Sequence, residues 1–137
     1  MKDLKYLFAY TVPVSVYISF ISTGIWTYSA VFYVFLVIPL LDFILGETKN
    51  NLSSQDASYL NNKWIFDLML YLNVPIVFGL LYFVFSLFQS NEFNTVETFG
   101  LAISTGILLA TNGINVAHEL GHRSSYFNRF MSKLLYM

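Results

Sequence analysis

The chain has 137 residues, of which 56% are hydrophobic, 19% aromatic and only 11% charged, with a net charge of -1 and no cysteine. Soluble domains carry about 25% charged residues, so this composition excludes an ordinary soluble domain and points to an integral membrane protein. Without cysteine there is no disulfide, thiolate metal site or cysteine nucleophile, and no basic cluster suggests nucleic acid.

Four apolar segments approach the roughly 20 residues that span a bilayer. The first runs from Leu4 to Ser22. Lys2 and Lys5 stand at its start, ahead of the apolar run, as in a signal peptide, but no A-x-A-like cleavage site follows, so it is read as a retained helix. The second, Trp26 to Leu45, follows after a few residues near Thr23 and Gly24, which predicts a helical hairpin. A polar loop, Gly46 to Lys63, separates it from the third span, Trp64 to Phe88. The link Gln89 to Thr95 leads to the fourth, Val96 to Ala117. Pro13, Pro39 and Pro75 fall inside spans, where kinks are tolerated. From Phe127 to Met137, apolar residues at Phe127, Phe130, Met131, Leu134 and Leu135 follow helical spacing and predict the start of a further helix in an incomplete chain. The fold class is therefore an all-α, polytopic transmembrane helical bundle of four spans.

Four crossings would place both termini and the long loop on one side. All seven basic residues, Lys2, Lys5, Lys49, Lys63, Arg123, Arg129 and Lys133, fall on that side. The positive-inside rule makes it cytoplasmic.

At the cytoplasmic end of the fourth span lies His118-Glu119-Leu120-Gly121-His122, a H-E-x-x-H core containing the only two histidines of the chain. Residues four apart share a helix face, so the two imidazoles can grip one metal ion from the same side. Thr111, Asn115, His118 and His122 form a polar stripe expected to face the bundle interior, because polar groups at membrane depth are costly. For Thr111 and Asn112 taken alone, helix–helix hydrogen bonding is the simpler reading. Gly106, Ala110, Gly113, Ala117 and Gly121 form a second stripe, of small residues, read as a close-packing surface rather than the wall of a substrate tunnel.

Glu119 has three local readings. It is the general base of a zinc protease, an outer group that orients a histidine ligand in a metal-dependent oxygenase, or an i, i+4 partner of Arg123. Asp42 and Asp67 lie at about the depth of the histidines and are possible ligands or outer-shell acceptors, though simple interfacial carboxylates also fit. Glu97, near the opposite face, reads as interfacial. Two histidines cannot complete a metal site, which needs at least three protein ligands.

Several segments together resemble one family. His118-Glu119-Leu120-Gly121-His122-Arg123, with Asn115 three residues before it, resembles the first histidine box of the membrane-bound alkane 1-monooxygenases, within the membrane fatty-acid desaturase and hydroxylase group. Pro39-Leu40-Leu41-Asp42, with Gly46-Glu47 and Asn50-Asn51, resembles that family's P-L-L-D-x-x-x-G-E segment. Tyr71-Leu72-Asn73-Val74-Pro75 is similar to its Y-L-x-V-P stretch, and Phe127-Asn128-Arg129-Phe130-Met131-Ser132-Lys133 to its F-D-R-W-M-x-K. Arg123 stands where many members have Lys.

The resemblance implies a desaturase-like, non-haem enzyme of the bacterial inner membrane with two irons. It implies hydroxylation of the terminal carbon of n-alkanes with O2 and electrons from rubredoxin, which rubredoxin reductase supplies. His118 and His122 would be iron ligands, Glu119 an outer-shell residue, and Asn115, Asp42 and Asp67 possible outer-shell partners. The chain would be the N-terminal part of one membrane oxygenase domain, inactive by itself. A desaturase, a fatty-acyl hydroxylase or an aromatic side-chain monooxygenase of the same group is the near alternative. An intramembrane zinc metalloprotease is the distant one, since H-E-x-x-H in an apolar helix is also its signature.

Overall fold

The computed structural model describes residues 7–46 and 64–136, and all regular structure in them is helical. Five helices follow in chain order. They are α1 (Leu7–Ile21), α2 (Gly24–Leu45), α3 (Trp64–Ser90), α4 (Thr95–Gly121) and α5 (Tyr126–Tyr136). By length and composition α2, α3 and α4 can cross a membrane, whereas α1 is apolar but shorter. At 1.5 Å per residue the described part of α1 covers only about 22 Å of the roughly 30 Å hydrocarbon layer. Three helices thus meet the spanning criterion where the sequence suggested four. Residues 4–6, most of the 46–63 loop, and Lys2, Lys5, Lys49 and Lys63 lie outside the described residues.

The hairpin of α1 and α2 forms as expected, and its packing follows from small and hydroxylated residues. Ser19 Oγ accepts the Ala30 N–H at 2.9 Å, tying α1 to the first turns of α2, and Ser19 is fully buried. Gly24 has φ +58°, a conformation open to glycine, and turns the chain into α2. Its N–H donates to Glu97 Oε1 at 2.8 Å. Glu97 also closes a capping box with Asn94 at the start of α4. It is half-buried and joins three segments, a structural role that the sequence reading did not assign to it. Both basic-free turns, 22–23 and 91–94, therefore meet at one end of the bundle.

Close approach holds α4 against α2. A Cβ at Gly100 would lie 2.8 Å from Thr27 Cβ, and Ser104 Oγ donates to the Thr27 carbonyl at 2.9 Å. Val16, Phe20, Ala30, Val77, Leu101 and Leu108 pack into the core between these contacts. Outward, Phe35, Phe43, Tyr82 and Phe85 are exposed. So much apolar surface would be costly in water, and a lipid environment removes that cost.

Two π-turns interrupt the long helices. One, Tyr33–Val37, lies immediately before Pro39 in α2. Proline cannot donate to the carbonyl four residues back, and a locally widened turn is a usual accommodation. The other, Leu109–Ile114, lies in α4 ahead of the histidines, with the Asn115 N–H bonded to the Ala110 carbonyl five residues back.

Candidate functional site

The last turns of α4 carry the site. His118 and His122 are both exposed, and their Nε2 atoms lie 3.2 Å apart with the rings edge to face. For metal–nitrogen bonds of about 2.0–2.1 Å, ligand angles between octahedral and tetrahedral need nitrogens roughly 2.9–3.4 Å apart. The 3.2 Å separation falls in that range, so two neutral imidazoles here suit one metal ion such as iron by spacing and donor type, while as they stand the two nitrogens lie within hydrogen-bond distance of each other. Among the described residues, no group of three His, Asp or Glu side chains gathers to complete a site.

The carboxylates nearby are organised by Arg123. Its Nη1 pairs with Asp67 on α3, and its Nη2 lies 3.5 Å from Glu119 Oε1. Of the readings of Glu119, this geometry realises the i, i+4 ion pair. Asp67 is brought to the end of α4 that carries the histidines, but its partner is the guanidinium rather than an imidazole. Asp42 is exposed near the end of α2, where its backbone carbonyl accepts the Gly46 N–H at 3.0 Å. Asn115 is exposed on the last part of α4, beyond the π-turn.

The expectation that Thr111, Asn115, His118 and His122 face inward as one stripe is not met. Thr111 is half-buried and the other three are exposed. The inward side from the π-turn onward belongs instead to Asn112, Gly113, Ala117 and Leu120. There α5 folds back along α4: Ser132 Oγ donates to the Ala117 carbonyl at 2.6 Å, and a Cβ at Gly121 would stand 3.1 Å from Ser132 Oγ. Close packing thus holds for Gly113, Ala117 and Gly121, while Gly106 and Ala110, on the other side of or within the π-turn, are exposed.

Sequence reasoning missed Asn73. It is buried in α3, receives a 2.8 Å hydrogen bond from Asn112 Nδ2, and donates to the Met69 carbonyl at 2.9 Å. An asparagine inside so apolar a span is the signal that could have found it. Tyr71, two residues earlier, bonds Asn128 and meets Phe127 edge-on with ring centres 5.0 Å apart, docking α5 onto α3.

Known proteins supply what the two histidines alone do not. The chain is 33% identical over 101 residues to the alkane 1-monooxygenase of Pseudomonas putida. It is equally similar over 101 residues to alkane 1-monooxygenase 1 of Alcanivorax borkumensis, and over 100 residues to the alkane 1-monooxygenase of Ectopseudomonas oleovorans. The chain is a relative of the alkane 1-monooxygenases. Each match covers 72% of this chain and 24% of the alkane 1-monooxygenase, so the similarity concerns about a quarter of those proteins. No family model and no solved structure matches.

Proposed function

We propose that this chain contributes the first histidine pair of a membrane-bound, non-haem di-iron monooxygenase that hydroxylates the terminal carbon of n-alkanes. One observation supports the reading: a histidine pair, His118 and His122, with ring nitrogens 3.2 Å apart, ends an apolar helix in a relative of alkane 1-monooxygenases. The reaction is R–CH3 + O2 + 2 electrons + 2 protons giving R–CH2OH + H2O. An iron centre supplies the redox chemistry for O2 against an inert C–H bond, and imidazole ligands suit iron.

The protein's part is positional. His118 and His122 hold one side of the centre. Arg123 keeps the Glu119 carboxylate beside the pair and ties that end of α4 to α3 through Asp67. The outward apolar surface lets long alkanes reach the protein from the lipid phase, into which they partition. The bacterial inner membrane is the location proposed, with the histidines at its cytoplasmic face, where rubredoxin, recharged by its reductase, delivers electrons. The remaining ligands come from outside the described residues.

The test is formation of 1-alcohol from a medium-chain n-alkane by the whole coding region in membranes, with O2 and reduced rubredoxin. Iron-loaded protein that makes no alcohol from alkane, alkylbenzene or fatty-acyl substrates, yet cleaves a membrane peptide, would overturn the reading.

A further inference from the structure

We propose that the π-turn Leu109–Ile114, pinned by the buried Asn112–Asn73 pair, sets the rotation of His118 and His122 about the α4 axis, which makes Asn112 and Asn73 positioning residues for that pair. The inference rests on reading the histidines as metal ligands.

Steps of three or four residues, as in any α-helix, link the buried Leu101, Ser104, Leu108 and Asn112, and again the buried Gly113, Ala117 and Leu120. The two series are offset by one residue, from Asn112 to Gly113. That offset falls inside the π-turn. Each α-helical residue turns the chain by about 100°. Without the wider turn, everything after it would therefore be rotated by about one residue's worth relative to what comes before.

Both halves of α4 are committed to different partners, so the rotation is not free. Before the turn, Gly100 and Ser104 are fitted to Thr27 of α2. Beyond it, Ala117 and Gly121 are fitted to Ser132 of α5, and Arg123 is paired to Asp67 of α3. The sequence holds one residue more than a straight helix needs to satisfy both sets. The π-turn absorbs it, and the histidines then point away from α5 and out of the bundle.

The side chains inside the turn explain why the extra residue stays there. Asn112 is 5% exposed and Asn73 7% exposed. Asn112 Nδ2 donates to Asn73 Oδ1 at 2.8 Å, and Asn112 Oδ1 lies 2.9 Å from the Thr111 hydroxyl. Moving the bulge along the helix would strip these buried amides of partners, which low-dielectric surroundings make costly. The latch therefore fixes the position of the turn, and the turn fixes the face on which the imidazoles stand.

The test uses an asymmetry that an uninterrupted helix lacks. Deleting the exposed Ala110 should convert the π-turn to α-helix and keep both sets of contacts. Inserting one alanine after Ala110 should rotate the histidine end. Each change is made in the whole chain in detergent micelles, with Cu2+ alone as the metal probe and paramagnetic resonance as readout. A parallel series carries Asp67→Cys and Arg123→Cys, the only cysteines present, joined by a short bis-maleimide. Deletion should leave the cross-link and Cu2+ affinity near those of the unaltered length. Insertion should remove most of the cross-link and lower Cu2+ affinity about tenfold or more, the scale of a disturbed ligand environment. Equal effects of deletion and insertion, in either direction, would overturn the proposal, as would damage from deletion alone. If the cross-link shows the asymmetry while Cu2+ binding is absent or unaffected by His118→Ala, the register stands and the metal reading fails.

Discussion

The Nε2 atoms of His118 and His122 lie 3.2 Å apart at the end of α4, within hydrogen-bond distance of each other and close enough to share one metal ion. A metal bound there would bridge two side chains of one rigid helical turn, and loss of either leaves a single imidazole. His118→Ala and His122→Ala should each weaken metal binding by more than about 100-fold, beyond the 10–100-fold cost of losing an outer-shell partner. Titration of the purified chain with Cu2+, followed by paramagnetic resonance, checks this. Retained two-nitrogen coordination in either variant would show that the pair is not the grip.

Glycines in α4 should respond in opposite directions. Gly100 has Thr27 and Tyr28 in the space a Cβ would take, whereas Gly106 has nothing within 4 Å. Gly100→Ala should destabilise by about 1–3 kcal/mol through overpacking. Gly106→Ala should be neutral or stabilise by up to about 1 kcal/mol, since it only removes glycine's helix penalty. Unfolding in mixed micelles reads both; equal effects would mean that α2 and α4 do not meet at Thr27.

Glu97 should matter more than a surface carboxylate. It accepts the Gly24 N–H at 2.8 Å and the Asn94 N–H at 3.2 Å, so it holds the α1–α2 turn and the start of α4 together. Glu97→Ala removes a capping-box member and leaves Gly24 without that acceptor, a loss of about 0.5–2 kcal/mol. Glu92→Ala, in the exposed link, serves as the control and should change stability by no more than about 0.5 kcal/mol.

How far these features were legible in the sequence depends on the range of the interaction involved. Helix positions follow from local apolar runs, and α2, α3 and α4 begin and end within a few residues of expectation. The H-E-x-x-H pair is likewise local, since four residues on one helix bring two imidazoles together whatever surrounds them. Facing is not local. The stripe from Thr111 to His122 was laid out on a uniform helical period, and the π-turn changes that period inside it. Its cause is tertiary: Thr27 on one side and Ser132 on the other demand different rotations. Asn73 and Asp67 acquire their roles from Asn112 and Arg123, 39 and 56 positions away, which no spacing rule connects.

Replacing one or both members of the buried amide pair separates hydrogen bonding from packing. Asn73→Leu alone leaves Asn112 Nδ2 without its 2.8 Å acceptor in an apolar bundle, and should cost about 1–3 kcal/mol. Asn73→Leu with Asn112→Leu removes both polar partners and should recover most of that loss, because nothing buried is left unpaired. Additive losses in the double variant would mean that the two amides act independently.

Glu119→Gln distinguishes the roles open to the residue beside the histidines. Glu119 is held 3.5 Å from Arg123 and more than half of its side chain is exposed, so its ion pair contributes little to stability, about 0–1 kcal/mol. The informative readouts are metal and turnover. If the carboxylate orients a histidine ligand of an oxygenase, Gln should lower metal affinity or alkane hydroxylation by about 10–100-fold and leave residual activity. If it is the base beside a protease's metal-bound water, Gln keeps the shape but cannot take the proton, so turnover vanishes while the metal stays. Measuring metal content and alcohol formation on the same preparation decides between them. Full metal content with no turnover would point away from the oxygenase role.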